Sequence, residues 1–531
     1  MAEERISRRR VWLYPLVLLG GGAAALFFAL VLLDLSASQD SLWAAVSSAG
    51  PSDMQGALGN LPEVVVAILG IVITVVSIIL QLSATRYTPR VTEMFFRDRT
   101  NLIVLGVFVI TSIHCLWATF AVHSKFYPRI LVASTVVLMT AAILVLIPYF
   151  TYVFKFLEPE RIVARLQEQA LVEVLNQGSA ALGQRQGRVL VAIEQLADVA
   201  INALSQKDRI ITSRSVDAIK DFITNYLRRK NELSDAWYTV GSQLRRNPDF
   251  VVMASHTLAS IEESRNWVEW KALRQYQTIF NESLNKMRDI GQLVAINTRY
   301  IGERALHCDD RTVLGLVIKF FNTYLRATLN SHDVRTAYNV FHQYRQLAEN
   351  TLKAGWKQEV IELAGYFKYY GQTANSMGLS FVTETAANDL CALCEVAHRE
   401  HFAEEDQLLA TFLDVDRAPE TEEQDRALRG VRKAQIKLAT YYLDCGAVNL
   451  ARAIHHDMEH ERPERLQSIR QEMLAVTDRD FWEVSDRGVN FDYLEPSRRE
   501  RLQRFYSWFA DLKQRSEAEV TTVETSHDLP S

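Results

Sequence analysis

Four long apolar runs, at residues 11–33, 64–82, 102–122 and 130–150, decide what this chain can fold into. Each is close to the roughly 20 residues that a helix needs to cross a hydrocarbon layer of about 30 Å. No water reaches the middle of a bilayer, so every backbone N–H and C=O must be paired within the protein, and helices are the spans that achieve this. The sequence therefore predicts a four-helix transmembrane domain over residues 1–154. The first run follows Arg8, Arg9 and Arg10 and precedes a Ser36-Ala37-Ser38 stretch that resembles a signal-peptidase site. Its apolar part is far longer than the roughly 7–15 residues of a secretory signal core, which predicts a retained anchor helix.

Charge sets the expected orientation. Arg5, Arg8, Arg9 and Arg10 precede the first run, and Arg86, Arg90, Arg97 and Arg99 separate the second from the third. The segment after the first run holds Asp34, Asp40 and Asp53 but no Lys or Arg. Basic residues stay on the inner side, so the N-terminus, the middle loop and everything after residue 154 are expected in the cytoplasm. Trp12, Tyr14, Tyr127, Tyr149 and Tyr152 fall near run ends, where interfacial aromatics belong. Lys and Arg against Asp and Glu number 10 against 8 in residues 1–154 and 48 against 55 in residues 155–531. A mildly basic membrane part and an acidic remainder speak against a nucleic-acid partner.

The second run is not uniformly oily. At about 100° per residue, Glu63, Ala67, Gly70, Thr74, Ser77 and Gln81 share one narrow face, which Thr85 and Thr88 extend toward Pro89. Everything on that face is small or polar, whereas the other faces are branched and apolar. Two readings follow: close helix–helix packing through small residues and hydroxyls, or a wet face lining a path for ions or small solutes. A stripe that packs against its own copies around an axis is both. Arg86 and Arg90 are expected to hold the helix end at the inner leaflet. In the third run His114, with Thr111 and Cys115 nearby, is a candidate relay or sensor. Its plainer role is a neutral imidazole hydrogen-bonded to a Ser or Thr of the second span.

The stretch "QLSATRYTPRVTEMFFRDRTNLIVLGVFVITSIHCLWA", residues 81–118, is similar to the signature of a family of bacterial predicted membrane proteins, domain of unknown function 2254. The resemblance rests on Gln81, Leu82, Tyr87, Thr88, Pro89, Arg90, Asp98, Leu105, Gly106 and Phe108. "LADVAINALS" at residues 196–205 resembles a second family stretch. There the family continues with a Pro-containing turn, and this chain has "QKDRIITSRSVDAI" instead. The resemblance implies a bacterial inner-membrane location and four spans, and carries no activity.

From residue 155 the chain is nearly all helix former, with apolar residues at helical spacing. The expectation is an all-α protein whose membrane domain is followed by a large cytoplasmic helical domain over 155–515, a bundle or an irregular α-solenoid. "FKFLEPERIVARLQEQALVEVL" reads as a stalk continuing the fourth span. Helical hairpins are legible near residues 337–367 and 434–458, but no repeat near 34 residues survives inspection. Residues 516–531 read as a disordered tail.

Sites of covalent or metal chemistry find little support. Five scattered cysteines, four of them after residue 155, make no disulfide framework and fit a reducing compartment. In "CALCEVAHREH", Cys391 and His401 would lie about 15 Å apart along one helix, too far to share an ion. "HDMEH" at residues 456–460 matches an inverted zinc-peptidase pattern, but its surroundings are a solvated charged face. No phosphate-binding loop, dinucleotide motif or nucleophile elbow is present. No catalytic, cofactor-binding or metal-ligating residue is assigned. The sequence favours a homo-oligomeric channel-like or transport assembly, with a membrane-tethered scaffold or sensor that binds a protein partner as the alternative.

Overall fold

The computed structural model describes residues 56, 59–86, 90–96, 98–121, 129–175, 182–481 and 486–509. The expected first span and the expected disordered tail lie outside them. The chain divides into two compact units, Met1–Arg165 and Leu166–Ser531.

The first unit contains α1 (Leu61–Arg86), the short α2 (Arg90–Phe96), α3 (Arg99–Ala121) and α4 (Arg129–Phe156). Three stretches, Leu61–Ala84, Arg99–Ala121 and Ala133–Phe156, are long and apolar enough to cross a membrane. α3 packs against both α1 and α4. Its buried residues are Asn101, Val104, Phe108, Thr111, Cys115 and Ala118, at alternating steps of three and four that mark one helical face. α1 contributes Val65, Val72, Val76 and Leu80 to the same core, and α4 contributes Thr135, Ala142, Tyr149 and Val153. Ile71, Ile110, Trp117, Phe120 and Val137 stay exposed, an apolar coat suited to lipid. α4 does not run on as a stalk. It stops at Phe156, and α5 (Pro159–Leu175) begins afresh, because Pro159 has no N–H to give and forces Glu158 out of helical geometry.

Among its described residues the second unit contains helices and the turns that join them, and no strand. It opens with α6 (Leu182–Ser205) and α7 (Arg209–Arg229), then two 3₁₀ turns and three short helices, α8 (Ser242–Arg245), α9 (Pro248–Val251) and α10 (Ser255–Glu263). A regular series follows: α11 (Trp267–Ser283), α12 (Arg288–His307), α13 (Arg311–Asn330), α14 (Val334–Lys353), α15 (Lys357–Ser376), α16 (Ser380–Arg399), α17 (Glu405–Leu413), α18 (Glu422–Asp444) and α19 (Val448–Asp457). α20 (Pro463–Ala475) and α21 (Pro496–Tyr506) complete it. α7, α12, α14, α16 and α18 pack side by side in sequence as one row, and α11, α13, α15, α17 and α19 form a second. Two rows built from successive antiparallel hairpins make an α-solenoid.

The solenoid is more regular than its sequence suggests. Asp309, His332, Gly355, Gly378 and His401 all have positive φ and recur every 23 residues. After each, the next amide (Asp310, Asp333, Trp356, Leu379, Phe402) donates to the carbonyl five residues back, at 2.9–3.3 Å. This is the Schellman helix stop: a left-handed residue turns the chain and satisfies carbonyls that the helix end leaves unpaired. Asp310 and Asp333 then cap the next helix, accepting from the amides of Val313 (3.1 Å) and Thr336 (3.2 Å). Helix plus turn thus repeats at 23 residues and the hairpin at twice that, which a search near 34 does not detect.

Candidate functional site

The small and polar stripe lies on the outer side of α1. Glu63, Gly70, Thr74, Ser77 and Gln81 are all exposed, whereas Val65, Val72, Val76 and Leu80 carry the packing against α3. At about 100° per residue the two rows fall on opposite sides of the helix. α1 has 26 residues and so is about 39 Å long, with Gly70, Thr74 and Ser77 in its middle portion. The Thr74 hydroxyl donates to the Gly70 carbonyl at 2.8 Å, so part of the stripe's polarity is satisfied within the helix. A Cβ added at Gly70 would meet nothing within 4 Å, so packing inside this chain does not require that glycine. The side chains of Thr85, Arg86, Thr88 and Arg90 lie outside the described set.

His114 does not meet a hydroxyl of α1. Its Nε2 lies 2.9 Å from the Ser134 hydroxyl of α4, and Ser134 in turn donates to the Leu131 carbonyl at 2.8 Å. The imidazole faces α4 because α3 turns its small seam, through Thr111, Cys115 and Ala118, into the core, with His114 at its edge. His114 and the α1 stripe are therefore separate features.

A second polar cluster forms where α2, α3 and α4 meet. Asp98 accepts the Thr100 amide at 2.8 Å and caps the start of α3. Burial raises the Asp98 carboxyl, but hydrogen bonds from Tyr152 and Thr100, with the nearby Arg165 charge, outweigh it and hold the group below its ordinary range. Beside it the buried Tyr149 hydroxyl donates to the Asn101 side-chain oxygen at 2.6 Å. Phe95 and Phe156 meet edge to face at 5.3 Å, and the Arg165 guanidinium lies 3.9 Å from the Phe156 ring centroid.

Residues 8–191 match the family model of DUF2254, described as a predicted membrane protein. Within the DUF2254 region, Asp98 is the cap that starts α3 and Phe108 is a core residue 1% exposed. Gln81 is the last residue of the outward stripe whose side chain is described. Tyr87, Thr88 and Pro89 lie outside the described residues. Beyond the matched residues, after α6, Lys207 takes positive φ, the Asp208 amide donates to the Ala203 carbonyl at 2.8 Å, and the Asp208 side chain caps α7 through the Ile211 amide. This is the same helix stop used along the solenoid. No curated protein matches the chain. A solved structure described as a circular tandem repeat protein with novel repeat topology and enhanced subunit contact surfaces aligns over 70% of this chain and 86% of that one. Identity is 16% and the TM-score 0.30, too low to carry an argument.

Asn101 and its buried Tyr149 partner were not legible as a pair. A lone Asn in the first turn of a span reads as interfacial, and its partner is 48 residues away. Elsewhere, Cys391 and Cys394 are buried, and burial pushes the Cys391 thiol up to about 12. His398 instead bonds Glu405 at 3.0 Å. His456 and His460 do not share a helical face, because α19 ends at Asp457 and His456 contacts Glu459 at 3.1 Å in the following turn.

Proposed function

We propose that the chain forms a homo-oligomer in the bacterial inner membrane, with the polar face of α1 lining or sealing the axis of a channel-like or transport assembly. The N-terminus and the helical domain lie in the cytoplasm in this reading. The observation that supports it is the outward direction of Gly70, Thr74, Ser77 and Gln81, opposite the apolar row that packs within the chain. Small residues gain nothing from facing acyl chains, and a row of polar side chains favours a contact other than lipid. A second copy, or water held between copies, satisfies both.

Cross-linking tests the assembly. In a background lacking native cysteines, Ser77→Cys in membranes should give oxidised dimers, whereas Val137→Cys on the exposed face of α4 should not. Equal cross-linking at both positions would refute the axis. For conduction, purified protein in a planar bilayer should pass current that Gln81→Leu alters; silence from both proteins would count against a conduit.

The solenoid favours a second reading, a membrane-tethered scaffold or sensor, because stacked hairpins present long surfaces suited to a protein partner. Full-length protein cross-linked in cells should then recover one partner reproducibly, and substitutions on the solenoid, not at Gln81, should abolish its capture.

A further inference from the structure

The C-terminal part of the second unit covers a charged cleft that none of the membrane features uses. Residues 486–495 form a strap that reaches three successive helices of one solenoid row. Arg487 pairs with Asp389 of α16 at 2.6 and 3.1 Å and also donates to the Tyr338 carbonyl of α14. Asp486 accepts from Asn339 at 3.0 Å. Asp492 pairs with Lys433 of α18 at 2.6 Å. Beyond the strap, Arg498 of α21 grips Glu395 through two bonds of 2.8 and 3.1 Å. The space left beneath is about 320 Å³, at the small end of the range for small-molecule pockets.

The charges lining this cleft do not balance. Five permanent cations (Arg345, Lys437, Arg479, Arg487 and Arg498) face three carboxylates (Asp389, Glu395 and Glu495). Asp389 is engaged by Arg345 and Arg487, and Glu395 by Arg498. Lys437 reaches only a backbone oxygen, that of Phe491 at 3.1 Å, and among the described residues no carboxylate pairs with it or with the exposed Arg479. The Arg487 side chain is 5% exposed and its Nε has no hydrogen-bond partner. Arg345 also pairs with Glu349 just outside the cleft, so one positive charge is left over among the described residues.

We propose that this cleft binds the phosphate group of a small phosphorylated molecule, with Lys437, Arg479 and Arg487 as its cationic contacts. A phosphate monoester carries about −1.5 to −2 charges at neutral pH and presents three acceptor oxygens, one for each of Lys437, Arg479 and Arg487, whereas a carboxylate presents two. Ala392 of α16 and Val489 and Phe491 of the strap also line the cleft and offer apolar surface for the organic part. His342 lies beside these cations: burial first, then the Arg487 and Arg345 charges, push its imidazole down to about 4.

Calorimetric titration of full-length protein in detergent tests the proposal, with phenyl phosphate, inorganic phosphate and benzoate as probes. Phenyl phosphate should saturate one site per chain and bind more tightly than either other probe. Lys437→Gln, which keeps a donor for the Phe491 carbonyl, and Arg479→Gln, at an exposed position, should each weaken it about tenfold, the usual effect of losing one charge-assisted hydrogen bond. Lys319→Gln, on α13, should change nothing. Unchanged thermal unfolding of the variants separates lost binding from lost fold. No saturation by roughly 10 mM phenyl phosphate, a limit weaker than most specific small-ligand binding, would overturn the assignment. So would equal binding of benzoate or of inorganic phosphate, or affinity indifferent to both Gln variants.

Discussion

The recurring helix stop makes a quantitative prediction at Gly355. Its φ is +78°, inside the left-handed region, and a Cβ built there meets nothing within 4 Å. Gly355→Ala therefore changes the backbone energy without a packing clash. An L-residue with a Cβ in this conformation costs about 1–2 kcal/mol. The reduced freedom of the unfolded chain returns about 0.4–1 kcal/mol. The expected net loss is about 1 kcal/mol, concentrated at the α14–α15 turn. His332 occupies the equivalent place 23 residues earlier, with φ +52°. The converse change, His332→Gly, should stabilise the α13–α14 turn by a similar amount. Urea unfolding of the full chain in mild detergent, followed by helical circular dichroism, would measure both. Amide exchange around residues 351–358 would localise the first. Opposite signs at the two positions are required. A neutral Gly355→Ala, or two shifts in the same direction, would refute the idea that one backbone geometry is used at each turn.

Other consequences can be checked with the same protein. The Glu384 carboxyl is pushed up to about 7, first by burial and then by Asp492 and Glu472, which Lys433 only partly offsets. The native state therefore holds a proton that the unfolded chain releases near 4.5. Stability from this group is complete below that pH and falls as pH rises through about 7, by roughly 3 kcal/mol at most. Glu384→Gln should flatten the decline in melting temperature between pH 5 and pH 8. Gly430 lies where α18 crosses α16, and a Cβ there would come within 2.8–2.9 Å of the Glu384 stem. Gly430→Ala should cost about 1–3 kcal/mol by overpacking, read as a lower urea midpoint at unchanged slope. In the membrane unit, Tyr149→Phe removes the donor to Asn101. Thermal unfolding in detergent should show a loss of about 0.6–1.7 kcal/mol, and Asn101→Leu added to it should recover part of that loss.

Much of the fold is legible residue by residue. The runs at 64–82, 102–122 and 130–150 correspond to α1, α3 and α4, because crossing a bilayer constrains length and composition locally. The stripe on α1 is equally plain, since it needs only the pitch of one helix. The expected stalk gives way at Pro159, where a local helix stop prevails over helical composition on both sides. The solenoid's period is hidden for a different reason. Asp309, His332, Gly355, Gly378 and His401 share a backbone angle and no chemistry, so the repeat is conserved in geometry while the letters change.

The sequence by itself determined that the chain is helical, that three described segments suit a membrane, and that one of them carries a polar face. Those properties follow from local periodicity and from the demand that backbone groups in lipid be paired within their own segment. Tertiary structure decided which way that face points, that His114 meets Ser134 and not α1, and that Arg487 reaches Asp389 across 98 positions of sequence. It also decided that five cations gather around one cleft. Such outcomes depend on which surfaces pack together, and a one-dimensional pattern does not encode the partner of a side chain that lies far away along the chain.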